Sequence, residues 1–320
     1  MDDIAEPVAG PGPIKVEVEA VGICGSDVHE YVAGPTPVPI DQPHPLTGEV
    51  APFVFGHEFS GTVVAVGEGV ERVKIGHRVT ANATLWCGAY PSCSAGWTNI
   101  CRTIGFHGIT GGGGALARFK PLATATHSVA LGGVGPGDSA LILGAGPIGL
   151  MLVQVRVDAG VKIIIVSEPS EARRRAATAL GAMDTVDPVR SDVVAFINKI
   201  NDGHGVTASF DAAAAPLSLE TAIAATRARS TVVIDAAWEK PVSVNPTTLL
   251  RREAIIRGRL AYPGSDFDAA IAFAAHHKEA LETMITRTIS LDDVITAGFE
   301  PIAFTCHDDI KVMVRPERGD

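Results

Sequence analysis

Two groups of residues in this chain are of types that could carry chemistry together. The first group, Cys24 and the pair His57-Glu58, offers a thiolate, an imidazole and a carboxylate, and Zn(II) accepts all three in proteins. The second group, residues 144–149 with the letters GAGPIG, has the glycine spacing of a dinucleotide-binding turn. A metal site and a dinucleotide site in one chain suggest metal-assisted hydride transfer, which neither group alone would indicate.

The glycine-rich turn has the sequence context that a dinucleotide site requires. An apolar run precedes it, a helix-like stretch follows it, and Glu168 lies about twenty positions further on. The glycines would allow a tight turn and a close approach of the pyrophosphate. Glu168 would accept hydrogen bonds from the ribose hydroxyls of the cofactor and so favour NAD over NADP. The alternative is a structural turn with a surface glutamate. The predicted cofactor-binding residues are Gly144, Gly146, Pro147, Ile148, Gly149, Glu168 and Arg173.

The spacing of Cys24, His57 and Glu58 does not by itself establish a metal site. A lone buried cysteine is usually a small apolar residue, and a lone histidine is usually only hydrogen-bonded. A metal site and ordinary core packing therefore both stay open at this point.

The elements that must position these residues differ between the two parts of the chain. Residues 15–21, 62–66 and 78–80 look like strands, separated by turns rich in glycine and proline. The first 130 residues or so are therefore predicted to be mainly strand and loop.

Strands and helices alternate after the turn at residues 135–138. This alternation predicts a parallel, doubly wound sheet of the Rossmann type. A last helix is predicted over residues 266–277, and strands with loops over residues 288–314. The predicted strands are 140–143, 162–166, 208–210, 231–234 and 255–260, and the predicted helices between them are 148–159, 171–180 and two that begin near Asp192 and Leu217.

Composition excludes several classes of protein. The chain has 320 residues, enough for two domains, and a net charge of −10, which argues against nucleic acid as a partner. Mean hydropathy is +0.24, but residues 139–155, the most apolar stretch, are interrupted by glycines and a proline and are too short to span a membrane. Five cysteines and no visible signal peptide favour a reducing compartment, the cytoplasm.

Longer motifs resemble zinc-dependent medium-chain alcohol dehydrogenases, most closely the branch of 2,3-butanediol and sorbitol dehydrogenases. The resemblance covers nearly the whole chain. It is carried by residues 21–29 (VGICGSDVH), 44–49 (HPLTGE), 56–61 (GHEFSG), 166–170 (VSEPS) and 238–243 (WEKPVS).

The resemblance implies a catalytic zinc held by Cys24, His57 and Glu58. It also implies that Ser26 takes the proton of the substrate hydroxyl and that His29 passes it towards solvent. The implied reaction is NAD-dependent oxidation of a secondary alcohol, diol or polyol. The implied fold is a mainly β GroES-like catalytic domain, residues 1–128 and 266–320, around a Rossmann domain, residues 129–265.

The first departure from the family concerns its structural zinc lobe. The family has four cysteines there, whereas this chain has Cys87, Tyr90, Cys93 and Cys101. A closed zinc site normally has four good ligands. We therefore expect this incomplete site to bind zinc weakly or not at all.

Other departures concern the link between the domains and the N-terminal strands. Lys120 stands where the family carries an acidic residue near the zinc, and the segment before it is shorter than in the family. Because a strand is predicted as early as residues 15–21, we also expect the first strands of the usual catalytic domain to be absent. His77 replaces an aspartate, and Ala214 replaces a glycine. A cation beside Zn(II) would oppose metal binding.

These departures keep two alternatives open. One is a degenerate homologue that binds NAD with weak or no catalysis. The other is a zinc-free quinone or enoyl reductase, which would not need Cys24, His57 and Glu58. Turnover with metal bound distinguishes the first alternative from the enzyme, and metal content distinguishes the second.

The sequence also offers candidate residues for substrate binding and assembly. Tyr31, Phe55 and Trp238 are either pocket residues or ordinary core packing. The family forms homodimers or homotetramers, often through the last Rossmann strand, here residues 255–260. Arg257 and Arg259 on that run could instead protect a free strand edge.

Overall fold

A computed structural model of the chain describes residues 12–114, 120–305 and 308–316. It divides into two compact units, one of residues 1–94, 101–120 and 285–320, the other of residues 95–100 and 121–284. The functional domain boundaries predicted after residues 128 and 265 stay a prediction. No helix in the described ranges is long and apolar enough to cross a membrane.

The first unit is mainly strand and loop, as predicted. Its strands, numbered along the whole chain, are β1 (Ile14–Gly22), β2 (Phe59–Val66), β3 (Arg78–Thr80), β4 (Thr84–Leu85), β5 (Gly105–Phe106), β12 (Ile285–Ser290) and β13 (Lys311–Arg315). Its helices are α1 (Gly25–Ala33) and the short α2 (Pro91–Ser94), with π-helical turns at Val294–Phe299 and Pro301–Thr305.

Five of these strands form one sheet in the order β12-β13-β1-β2-β3. β1 is antiparallel to both β2 and β13, so the end of β1 lies beside the beginnings of the other two. Apolar residues of β1, α1, β13 and the first π-helical turn form the core below this sheet. They include Val21, Ile23, Val28, Val294, Phe299, Val312 and Val314.

The second unit alternates strands and helices. Its strands are β6 (Ser139–Leu143), β7 (Ile163–Ser167), β8 (Asp184–Val186), β9 (Val206–Asp211), β10 (Thr226–Ile234) and β11 (Ile255–Gly258). Its helices are α3 (Lys120–Gly132, whose first residue belongs to the first unit), α4 (Pro147–Asp158), α5 (Glu171–Ala179), α6 (Val193–Ile200), α7 (Ser218–Ala225), α8 (Pro246–Arg252), α9 (Gly264–His276) and α10 (Lys278–Glu282), with a 3₁₀ turn at Thr98–Ile100.

The six strands form one parallel sheet in the order β11-β10-β9-β6-β7-β8. This is the strand order of a Rossmann fold, in which the strand that comes first in the chain lies in the middle of the sheet, where the strand order reverses. That strand is β6, and ligands bind at the carboxyl ends of the strands beside such a switch point. The predicted doubly wound parallel sheet is confirmed, and the glycine-rich turn follows its switch-point strand.

Candidate metal and dinucleotide sites

Strand pairing brings Cys24, His57 and Glu58 together. Cys24 follows β1, and His57 and Glu58 precede β2, whose first residue Phe59 pairs with Val21. The backbone of Gly22 donates a hydrogen bond to the carbonyl of Glu58, 3.2 Å away. Cys24 therefore lies close to His57 and Glu58, because the end of β1 pairs with the beginning of β2.

One ligand atom from each of Cys24, His57 and Glu58 lies within 4.8 Å of the other two. His57 and Glu58 are buried, and Glu58 Oε1 has no hydrogen-bond partner in the part of the chain that the structure describes. A buried carboxylate oxygen without a partner is costly, and a cation would remove that cost. Sulfur, nitrogen and oxygen donors at this spacing fit Zn(II).

Asp27 orients two of the three candidate ligands. Its Oδ1 lies 3.2 Å from His57 Nδ1, which leaves Nε2 as the nitrogen available to a metal. Its Oδ2 accepts a hydrogen bond of 2.9 Å from the backbone N–H of Cys24. A carboxylate behind a ligating histidine is the usual way in which a metal site fixes the ring and its tautomer.

Ser26 lies beside the same cluster. Its Oγ is 3.2 Å from His57 Nε2 and is partly exposed, as is His29 one turn along α1. A hydroxyl in this position can exchange a proton with a group bound next to the histidine.

Lys311, which no sequence motif singled out, completes the cluster. It is the first residue of β13, and its Nζ donates hydrogen bonds to Glu58 Oε2 and, over 2.7 Å, to the carbonyl of Ile23. Burial alone would lower the pKa of Lys311, but the charges of Glu58, Cys24 and Asp27 outweigh burial and raise it. Lys311 is therefore a buried cation that holds Glu58 and the residue before Cys24.

A cavity of about 290 Å³ lies beside α1 in the same unit. Tyr31 and Phe55, two of the predicted pocket residues, line it, whereas Trp238 packs against the apolar core of the other unit. Most of the cavity wall is apolar. Its lining residues are Asp27, Glu30, Tyr31, Gly34, Pro35, Val38, Phe55 and Phe299.

The three lobe cysteines form a second cluster. Cys87, Cys93 and Cys101 place their sulfurs within 4.8 Å of one another, and all three are free thiols. Burial raises the pKa of Cys93. Burial also opposes ionisation of Cys101, but hydrogen bonds from Thr103 and Cys87 outweigh it and lower the pKa of Cys101 to about 6.

The glycine-rich turn joins β6 to α4 as predicted. Gly144 has φ +93°, a left-handed conformation that favours glycine. A Cβ on Gly149 would lie 1.9 Å from the carbonyl oxygen of Gly144, whereas a Cβ on Gly146 would meet nothing within 4 Å. Gly149 is thus needed for the turn itself, and Gly146 leaves open space at the start of α4.

Glu168 organises the turn. This buried side chain follows β7 and accepts hydrogen bonds from the backbone N–H groups of Ala145, over 2.7 Å, and Ser170, over 2.9 Å. Ser170 caps α5 by accepting a hydrogen bond from the backbone N–H of Arg173. Carboxylate and glycine-rich turn are therefore adjacent, as the spacing predicts.

The structure describes, to different extents, three of the residues that depart from the family pattern. Lys120 begins α3, but its side chain and residues 115–119 lie outside the described residues, so its predicted role near a metal stays a prediction. Ala214 has φ +47°, the conformation for which a glycine is suited. His77 accepts a hydrogen bond of 3.3 Å from the backbone N–H of Lys74 in an exposed turn.

Two family models match the chain. An alcohol dehydrogenase GroES-like domain matches residues 10–129, and a zinc-binding dehydrogenase domain matches residues 147–276. The (R,R)-butanediol dehydrogenase of Neisseria gonorrhoeae is 34% identical over 99% of this chain and 96% of its own. That alignment spans 341 positions, more than the 320 residues here, so some positions of the relative have no counterpart in this chain.

Solved structures give the same result. The crystal structure of 2R,3R-butanediol dehydrogenase from Bacillus subtilis superposes with a TM-score of 0.90 and 35% identity over 99% of this chain and 96% of that chain. A Sinorhizobium meliloti structure described as a zinc-binding dehydrogenase bound to NADP has a TM-score of 0.83 and 31% identity over 98% of this chain and 94% of that chain.

Proposed function

The chain belongs to the zinc-dependent medium-chain alcohol dehydrogenase family, and we propose that it oxidises a short vicinal diol of the 2,3-butanediol class to a hydroxyketone. Membership makes it an oxidoreductase that acts on CH–OH groups and uses zinc and NAD. The observation that carries the proposal is the cluster of Cys24, His57 and Glu58 in a chain that also has the glycine-rich turn.

Cys24, His57 and Glu58 would hold the zinc through Sγ, Nε2 and Oε1. When bound, zinc would act as a Lewis acid that lowers the pKa of the substrate hydroxyl. Asp27 lies beside the Nδ1 side of the His57 ring, and Lys311 bonds one oxygen of Glu58, while the other has no hydrogen-bond partner among the described residues. The protein thus holds the donor set ready before any metal arrives.

Ser26 and His29 would move the proton. The Ser26 hydroxyl, beside His57 Nε2, would accept the proton of the substrate hydroxyl as hydride leaves the carbon atom. His29 is partly exposed one turn along α1, so it would pass the proton on to solvent.

The second unit would bind NAD through the turn after β6. The open space at Gly146 admits the pyrophosphate to the start of α4, and Glu168 would accept the adenosine ribose hydroxyls. Arg173 in the first turn of α5 would lie near the same ribose. A clear preference for NADP in a cofactor titration would contradict the role of Glu168.

The cavity beside α1 supports a short diol as substrate. Tyr31, Phe55, Val38 and Phe299 offer apolar contacts to alkyl groups, while Glu30 already accepts hydrogen bonds from Thr36. A polyol would bury several hydroxyls against these apolar walls, and each one without a partner costs about 1–3 kcal/mol. We therefore expect 2,3-butanediol to be preferred over sorbitol by at least about tenfold in kcat/KM.

We also propose a homodimer or homotetramer in the cytoplasm. β11 is an edge strand of the six-stranded sheet, and its exposed Ile255 and the nearby Leu260 offer apolar surface to a second copy. Four free thiols in the described ranges support a reducing compartment.

The experiment is NADH formation from 2,3-butanediol and from sorbitol by wild-type protein and by Ser26→Ala, with NAD binding measured on both. We expect turnover that favours butanediol and falls about 100-fold or more in the variant, since general base catalysis typically contributes that much. NAD binding should be unchanged, because Ser26 belongs to the other unit. NAD binding with zinc bound and no turnover in wild type would instead indicate a degenerate homologue.

A further inference from the structure

Three thiols of the lobe face one another at close range. Cys87 Sγ lies 3.9 Å from Cys93 Sγ and 3.5 Å from Cys101 Sγ. Cys93 and Cys101 are buried, while Cys87 is partly exposed and leaves a path from solvent. The three sulfurs therefore form a triangle that is accessible to solvent at Cys87.

Each sulfur also accepts hydrogen bonds from its surroundings. The backbone N–H of Ala89 donates to Cys87 Sγ over 3.3 Å, and backbone groups of Gly88 and Thr103 bond to the sulfurs of Cys93 and Cys101. Such donors around sulfur are the surroundings in which a thiolate becomes a ligand. The triangle is built to bind through sulfur rather than only to pack.

The cluster does not fit the closed zinc site that the family implies. Tyr90 stands at the fourth position, and its ring lies 5.5 Å from the guanidinium carbon of Arg102. No fourth His, Cys, Asp or Glu joins the three cysteines in the ranges that the structure describes. Structural zinc sites are built from Cys, His and carboxylate ligands, so the Tyr90 phenol is a poor substitute for a fourth thiolate.

We propose that Cys87, Cys93 and Cys101 form a binding site for a trivalent, three-coordinate thiophilic ion, of which trivalent arsenic is the fitting example. Arsenous acid, As(OH)₃, would exchange its three hydroxyls for three sulfurs. Three As–S bonds form, three As–O bonds break, and each thiol proton leaves with a hydroxyl as water. No oxidant or reductant takes part.

Charge and coordination both favour this ion over zinc. Three thiolates and As(III) are neutral together, whereas three thiolates and Zn(II) leave a net negative charge in a largely buried place. As(III) is satisfied by three sulfurs and points its lone pair at the fourth position, so Tyr90 need not be a ligand.

The test uses the full chain with Cys24 and Cys306 changed to serine, so that only the three lobe thiols remain. Arsenite is added, and native mass spectrometry and thiol titration follow its binding. We expect a single arsenic per chain, with the loss of three hydrogens and protection of all three thiols. Loss of only two hydrogens, or no binding, would overturn the proposal.

Two further variants in this background separate the site from ordinary dithiol binding. Cys101→Ser should weaken arsenite binding at least tenfold, while Tyr90→Phe should leave it unchanged. Equal binding by Cys101→Ser, or loss of binding in Tyr90→Phe, would contradict a site made of three sulfurs.

Tyr90→Cys in the unaltered chain tests the missing ligand. With four thiols the lobe should retain an additional zinc against a chelator, which wild type should not. A wild-type chain that already retains a second zinc as firmly would show a four-ligand zinc site and overturn the proposal. Because this site shares no residue with the proposed catalytic one, the proposed function is independent of the result.

Discussion

Lys311 is the residue of the candidate metal site that sequence patterns could not identify. It is separated from Glu58 by 253 positions and meets it only because β13 pairs with β1. Cys24, His57 and Glu58 could be predicted because they lie within two short family motifs. Lys311 lies in no such motif. Its place beside Glu58 follows only from the order of the strands in the sheet.

Replacing Lys311 by methionine should weaken metal binding. The change keeps the length of the side chain but removes the cation, so Glu58 Oε2 is left buried without its partner. Loss of a residue that orients a metal ligand typically costs about 10–100-fold in metal affinity or activity. The measurement is zinc retained against a graded chelator, with kcat on the same samples.

Lys311→Arg is the matched control. Arginine keeps the charge but is bulkier than lysine. The lysine side chain already packs closely on Gly22, because a Cβ built on Gly22 would lie 2.7 Å from Lys311 Cε. Zinc retention should therefore lie between wild type and Lys311→Met. If Lys311→Met kept its zinc as well as wild type, Lys311 would have no positioning role.

The strand, turn and helix around residues 144–149 were predictable as elements because glycine spacing and apolar runs act locally. β10 was predicted only from residue 231, yet it begins at Thr226. Residues 226–230 are mostly polar in sequence. Their pairing with β9 is interrupted by a bulge, in which Arg229 has φ +58°. Such a bulge is favoured by pairing with β9 rather than by the local sequence, so the sequence alone does not show it.

Gly146→Ala and Gly149→Ala should separate cofactor binding from folding. A Cβ on Gly149 would collide with the Gly144 carbonyl, so this variant should lose about 1–3 kcal/mol of unfolding free energy. A Cβ on Gly146 meets no protein atom and should leave the melting temperature nearly unchanged, while NAD binding weakens at least tenfold. Thermal unfolding and NAD titration of both variants measure this. Unfolding of Gly146→Ala at lower temperature than Gly149→Ala would contradict the assignment.

Arg156 is an unusual residue for a buried helix. α4 is buried along most of its length, and the Arg156 guanidinium lies 3.8 Å from the centre of the Phe210 ring, with no hydrogen-bond partner in the described part of the chain. Burial lowers its pKa to about 9. The ring contact offsets only part of the cost of removing a charge from water.

Arg156→Met should therefore stabilise the protein. Methionine fills much of the same space without a charge. Since the Arg156 guanidinium makes no hydrogen bond whose loss would leave a partner unsatisfied, we expect a gain in the range of about 1–4 kcal/mol found when buried ion pairs are replaced by apolar residues. Urea unfolding of the wild type, Arg156→Met and the polar control Arg156→Gln measures the change. A lower unfolding midpoint for Arg156→Met than for Arg156→Gln would show that the charge is needed.

At the scale of the molecule, each unit could be predicted from its own type of pattern. Alternating strands and helices indicated the parallel sheet, and short strands with glycine-rich turns indicated the β unit. The bounds of the compact units were not predictable, because residues 95–100 belong to the second unit although the residues on both sides of them in the sequence belong to the first. Local patterns identify elements, whereas long-range contacts decide to which unit an element belongs.

We propose that this one chain would hold a zinc ion beside a diol and transfer hydride to NAD. The most direct test is the zinc content of the purified protein by elemental mass spectrometry, with NADH formation from 2,3-butanediol measured on the same sample. We predict about one tightly held zinc per chain with turnover in wild type, and the loss of both in Cys24→Ser. A wild-type chain that binds NAD but holds no zinc and forms no NADH would contradict the proposed function.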